Sequence, residues 1–455
     1  MSESNEKIPR WRKVAYGAGD IGFSMTSTII AVLLAIFLTD VVGLRPGLAA
    51  VALFIGRTWD YINDPLIGHL SDRTRSRWGR RRPFLLFGCL PFAIAFACLW
   101  WKPPFLSGVG LAAYYAAAYL FYDTCATLAY MPYFALTPEL TLDYDERTSL
   151  TSYRMAFSIV GGLIAFTVPL ALVGSMRPEN AERVFGMGFL FGLLSALPLL
   201  VVFFATRERE EFQAQAQPRL GESLRAAVRN RPFLFGVGIF LLTWVTMDIV
   251  QTVLLFFLKY RMHLEAESDI ILGAIFVSAL LVLPLWERVS RHWDKRMAYV
   301  AGVAFWAAVQ LVLVVIRPDW GFPVVLGLAV LAGVGVAAAH ILPWAIIPDA
   351  VEWDEWATGQ RHEGIFYSLV TLMQKVASSV AIPLVLLVLD AAGYVPNAAE
   401  QSLRVQRAIQ FLMGPVPAAL LCSGILFALL YPLSRQQHAE VRAALAARRA
   451  TEGRG

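Results

Sequence analysis

The segment RTWDYINDPLIGHLSDRTRSRWGRRRPF, residues 57–84, carries two opposed signals in one run. Its first part continues an apolar stretch that begins near residue 48, yet it contains Arg57, Asp60, Asn63 and Asp64. Its second part, 72–82, holds six arginines in eleven residues. An apolar stretch of this length that ends in a dense basic run reads as a membrane span followed by a connection on the positively charged side. Arg57, Asp60 and Asp64 then lie in hydrocarbon, where an ionisable group costs about 2.5–3.5 kcal/mol on insertion scales. Groups retained at that cost are candidates for function.

The composition agrees with a membrane reading. Of 455 residues, 57% are hydrophobic and only 16% charged, with mean hydropathy +0.57. A soluble protein carries roughly a quarter charged residues. At about 20 apolar residues per span the length allows about twelve spans. A soluble enzyme, a nucleic-acid binder and a disulfide-stapled secreted domain are thereby excluded, and the net charge of +5 is read as topology. The four cysteines, Cys89, Cys98, Cys125 and Cys422, lie in apolar stretches without metal-ligand spacing and read as small hydrophobes. The basic N-terminus lacks a small-residue cleavage site, which predicts a retained first span.

Apolar spans are read near 14–38, 48–70, 83–101, 106–136, 150–173 and 185–205, then near 232–258, 269–286, 297–316, 321–347, 364–390 and 408–433. Most of the 39 lysines and arginines fall on the side that holds both termini and the even-numbered connections. That bias predicts cytoplasmic termini of a multi-pass protein in the cell inner (plasma) membrane. The domain expectation is an N-terminal six-helix bundle (1–205), a cytoplasmic linker (206–231), a C-terminal six-helix bundle (232–433) and a cytoplasmic tail (434–455).

Two connections are near copies. SDRTRSRWGRRRPF (71–84) matches VSRHWDKRMAY (289–299), and MPYFALTPE (131–139) matches LPWAIIPD (342–349), at nearly one offset. A parallel six-helix repeat with a polar linker resembles the layout of major facilitator transporters. The expected fold is an all-α membrane protein of twelve transmembrane helices in two pseudo-symmetric six-helix bundles.

Positions 57, 60 and 64 share one helix face. Two carboxylates one turn apart repel unless a proton or a monovalent cation intervenes, and either can be a coupling ion. Asn63 adds a neutral oxygen suited to sodium. The structural alternative is an Arg57–Asp60 ion pair. Arg154 in span five and Lys375 in span eleven are further buried cations, one on each half, that could reach a central cavity; the alternative is pairing with the span-two acids. Asp20, Asp123 and Asp248 could face the same cavity, Asp20 with the least support. His340 reads as a substrate contact or a structural histidine. Tyr130, Tyr133, Phe134, Trp344 and Tyr367 could stack on a sugar or lipid, or serve as ordinary packing. The clusters Glu139, Asp143, Asp145, Glu146, Arg147 and Asp349, Glu352, Asp354, Glu355, Arg361 occupy equivalent repeat positions opposite the basic connections that include Arg77. Ion-pair gates follow as an expectation, with solvated loop charge as the alternative.

With those residues in view, the chain resembles the glycoside–pentoside–hexuronide:cation symporters of the melibiose permease type. The resemblance rests on YGAGDIG (16–22), FLTDVVGL (37–44), the 57–84 segment, LTPELTLDYDERTSLTSYR (136–154) and PDAVEWDEWATGQRHEGIFYSLVTLMQK (348–375). It implies a cation site, for sodium, at Asp60, Asn63, Asp64 and Thr127, and substrate positions at Arg154 and Lys375. It also implies departures: the span-one galactoside acid is Ser24 here, the span-four acid is Tyr130, and aromatic sugar contacts become Ala126, Phe134 and His340. A pocket that loses two acids and keeps two cations favours an anionic group.

The function expected is cation-coupled symport, with sodium or protons, of a glycoside or related sugar, an anionic one included. The alternative cargo is an amphiphile, because the chain is similar, more distantly, to sodium-dependent lysophosphatidylcholine symporters. A transport-dead sensor is a third reading, opposed by the acid pair standing beside Lys375. No enzyme activity, no cofactor beyond the coupling ion, no nucleic-acid partner and a monomer among membrane lipids complete the expectation.

Overall fold

The computed structural model describes residues 8–141, 144–208, 228–359 and 363–452. Among them every regular element is a helix. The first half comprises α1 (Arg10–Ile36), continued by a π turn (Phe37–Val41), then α2 (Pro46–Thr58), α3 (Asp60–Arg73), α4 (Arg82–Leu99), α5 (Gly108–Ala135), α6 (Thr137–Leu140), α7 (Tyr144–Val173) and α8 (Ala181–Ala205). The second comprises α9 (Arg231–Tyr260), α10 (Ser268–His292), α11 (Lys295–Val315), α12 (Gly321–Thr358), α13 (Glu363–Ala392), α14 (Leu403–Met413), α15 (Pro415–Leu429) and the tail helix α16 (Arg435–Glu452).

Ten helical stretches are long and apolar enough to cross a membrane. The expected count of twelve is completed by α5 and by the α2–α3 pair, whose polar residues lower its hydropathy. Trp59 interrupts that pair, and Pro65 cannot donate the i→i−4 bond of the following turn, which weakens the helix across the Asp60–Asp64 turn. At 38 residues α12 would extend about 57 Å, so it outruns a hydrocarbon layer of about 30 Å; Pro343 and Pro348 interrupt its hydrogen-bond ladder near one end.

The chain divides into two compact units, residues 1–215 with 265–273 and 382–405, and residues 216–264, 274–381 and 406–455. In the first, α4 packs on α5 and α8, and α1 on α8 and α7. In the second, α11 packs on α12 and α15, and α9 on α15. The same three helix pairings recur at equivalent positions, so the repeat seen in the connections is a repeat of packing.

Small residues set the closeness of α1 to its neighbours. A Cβ on Gly22 would overlap the Ser195 carbonyl and the Tyr130 hydroxyl. Tyr130 donates to that carbonyl at 3.2 Å, which fixes α5 to α8 at this level. Gly22→Val is therefore expected to cost about 3 kcal/mol or more through overpacking. A thermal midpoint in detergent unchanged within a degree of wild type would contradict it.

Helix starts are satisfied in two ways. Asn230 and Asp294 cap α9 and α11 from their own chain neighbourhood. At α4 the acceptor is remote: the Glu208 carboxylate receives the backbone N–H groups of Arg80, Arg81 and Arg82 at 2.7, 2.8 and 2.9 Å. Gly79, at φ +102°, admits it, since a side chain there would meet that carboxylate.

Candidate functional site

The span-two face and α5 meet at two contacts. Thr127 donates to Asp64 at 3.3 Å. The buried Asn63 amide lies 3.3 Å from both the backbone and side-chain oxygens of Asp123. Two carboxylates, a hydroxyl and an amide from helices some 60 positions apart thus converge, with Asp60 one turn earlier on α3. Trp59 donates to Thr124 at 2.9 Å and pins the same helices together. Among the described residues no three His, Cys, Asp or Glu side chains cluster as a transition-metal site would; a mixed oxygen set of this kind suits a monovalent hard cation instead.

Arg57 is set against an aromatic ring of α5. Its guanidinium lies 6.0 Å from the Tyr119 ring centroid, and its Nε has no hydrogen-bond partner among the described residues. Arg57 thus places a cation against an aromatic face.

Arg154 pairs with an acid of α1. Its Nε contacts Asp20 at 3.2 Å, with side-chain exposures of 14% and 5%. The guanidinium lies 4.6 Å from the Phe134 ring and 5.4 Å from Tyr133. A second nitrogen reaches Thr137 at 3.4 Å, and the Tyr16 hydroxyl shares Thr137 at 2.6 Å. Phe23 closes the ring group edge-on to Phe134 and Tyr130. Among the described residues only part of its five guanidinium N–H donors is engaged, so Arg154 is an oriented cation walled by aromatic faces. Ser24 donates to the Ser158 carbonyl at 2.6 Å, and Tyr130 is fully buried with its hydroxyl on α8.

In the second unit, Lys375 is half-buried on α13, one turn before Ser378, whose hydroxyl donates to Asp248. His340 is exposed, 5.2 Å ring to ring from Trp244. Asp349 pairs with Lys295 at 2.6 Å, and His438 of α16 bridges Asp349 and Glu352 at 3.5 and 2.7 Å. Arg442 reaches Glu352 at 3.8 Å. Arg77 stacks 4.2 Å over Trp78 and meets no acid among the described residues. The side chains of Glu139 and Arg147, and all of Arg361, lie outside the described residues.

Three charged residues hold places that the sequence reading passed over or ranked last. Asp20 carries the Arg154 pair. Asp40, in the π turn, is fully buried and accepts from Tyr394 while its carbonyl accepts from Asn397, all within the first unit. Glu208 caps α4. A signal existed for the first two, since both lie in the motifs YGAGDIG and FLTDVVGL; no local pattern marks Glu208 as a cap for a helix more than 120 positions earlier.

Residues 15–435 match the family described as MFS/sugar transport protein. The chain belongs to that family. As a member it is a membrane transporter and not an enzyme. It is 34% identical to an uncharacterized symporter of Synechocystis sp. over 98% of both chains. It is 29% identical to the sodium-dependent lysophosphatidylcholine symporter 1-A of Danio rerio over 96% of this chain and 88% of that one. The crystal structure of a D-xylose–proton symporter overlays 92% of this chain and 96% of its own with a TM-score of 0.65 at 16% identity, a likeness of fold.

Proposed function

We propose that the chain is a cation-coupled symporter of the glycoside–pentoside–hexuronide:cation type, with both termini cytoplasmic in the plasma membrane. Asp60, Asn63, Asp64 and Thr127 take the coupling cation, and Asp123 orients Asn63. The observation that carries the reading is the convergence of Asp64 with Thr127 and of Asn63 with Asp123 inside an apolar span pair. Retaining that set in hydrocarbon is costly unless it serves an ion. Sodium is favoured over the proton because neutral oxygens complete the set. The sequence identity to a sodium-dependent symporter points the same way.

The cargo carries an anionic group, held by Arg154. An amphiphile of the lysophospholipid class is favoured by the rings of Phe23, Tyr133 and Phe134 around that arginine, since a charged head and an apolar body both find partners there. The second reading is an anionic sugar, favoured by the family's description. Substrate binding at Lys375 and His340, and gating by Asp349 and Glu352 with Lys295 and His438, belong to the same proposal.

A thermal-shift titration tests it. Sodium against choline, at two pH values, is followed by neutral sugars, uronides and lysophospholipids. A ligand at 100 times its dissociation constant adds about 2.7 kcal/mol to apparent stability. Sodium is expected to raise the midpoint and lysophospholipids to raise it further. A shift with pH alone would assign proton coupling, and a shift with uronides alone would select the sugar reading.

A further inference from the structure

The arginine-rich turn after α3 is more than a topology signal. Arg73, Arg75 and Arg77 are exposed, and none of the three carries an ion pair among the described residues. Glu208 is engaged with the backbone: it receives the three N–H groups of residues 80–82. The turn is also held in shape. Ser76 donates to the Gly79 carbonyl at 2.6 Å and accepts from the Trp78 N–H at 3.1 Å. Arg82 is turned inward, donating to the Phe203 carbonyl at 2.6 Å.

Beside these cations stands an aromatic and apolar shelf. Arg77 stacks over Trp78, and the Trp78 ring contacts Phe87 and Phe203 at 5.8 and 6.4 Å. Phe87, Leu90 and Phe204 are 62%, 64% and 76% exposed on α4 and α8. In a membrane protein, large side chains exposed on spanning helices face acyl chains, and tryptophan marks the headgroup level. Exposed guanidinium groups beside a tryptophan at that level lie where lipid phosphates are.

We propose that Arg73, Arg75 and Arg77, with Trp78 as their platform, form a docking surface for the headgroups of anionic phospholipids, whose chains lie along Phe87, Leu90 and Phe204. Arginine forks match phosphate oxygens, and each basic group at an anionic surface adds to retention. The shelf is what selects a lipid over a free anion. The inference does not depend on the cargo or the coupling ion, and a symmetric bilayer makes its test independent of orientation.

The full chain, in wild-type form and as Arg73→Gln/Arg75→Gln/Arg77→Gln, is reconstituted in nanodiscs of phosphatidylcholine with one quarter phosphatidylglycerol. Lipids retained after detergent extraction are counted by native mass spectrometry. Wild type is expected to enrich phosphatidylglycerol, and the variant to lose about tenfold of that enrichment, with phosphatidylcholine retention and the thermal midpoint in pure phosphatidylcholine unchanged. Equal enrichment in both proteins would overturn the proposal. So would an equal loss in a control that removes the exposed arginines at 317, 404 and 407, which would show unspecific charge. A fall in midpoint in pure phosphatidylcholine would make the turn structural, and displacement of the lipid by millimolar inorganic phosphate would make it a free-anion site.

Discussion

Replacing Asp64 by asparagine is expected to leave a folded protein in the membrane and to abolish cation-driven accumulation of the cargo. The amide keeps the shape of the carboxylate and an oxygen that can accept the Thr127 hydroxyl, so the α3–α5 contact survives. What it loses is one unit of charge and the ability to take a proton. At about 4 Å and an effective dielectric of about 20, a unit charge contributes about 4 kcal/mol to cation attraction. Losing even half of that lowers affinity more than tenfold. Proton coupling fails as well, because the amide does not titrate. Uptake into vesicles with an imposed sodium or proton gradient is expected to fall to the level without a gradient, while the thermal midpoint stays near wild type. Accumulation at the wild-type rate by this variant would remove Asp64 from the cation site.

The same charges that locate this site explain what the sequence could and could not disclose. Twelve spans, the repeat and the acid pair are legible because hydrocarbon penalises polarity, so every retained charge in an apolar run stands out locally. Partners are not legible, because a buried charge can be neutralised from any helix. Arg154 and Asp20 are 134 residues apart and pair, although nothing in either local motif names the other. Backbone satisfaction is equally remote at α4, where the cap comes from Glu208. Spacing along one helix fixes which side chains share a face. It does not fix which neighbouring helix that face meets, and in the α1 region that was decided by glycines that let α7 and α8 approach.

The Asp20–Arg154 pair gives the sharpest division between a structural and a functional charge. Removing one member of a buried pair strands the other, at about 3–5 kcal/mol. Arg154→Gln alone is therefore expected to lower both the thermal midpoint and uptake, and uptake alone cannot distinguish folding from binding. The double variant Asp20→Asn/Arg154→Gln can. With both charges gone nothing is stranded, so the midpoint should recover most of what the single variant lost. Transport should not recover. If Arg154 holds the cargo's anionic group through charge-assisted bonds of about 1.5–3 kcal/mol, the double variant should remain about ten- to a hundredfold weaker for that cargo. Its response to sodium in the thermal-shift titration should be that of wild type, since the Asp60, Asn63, Asp64 and Thr127 set is untouched. Recovery of uptake together with stability would make the pair a strut between α1 and α7 and would move the anion site elsewhere.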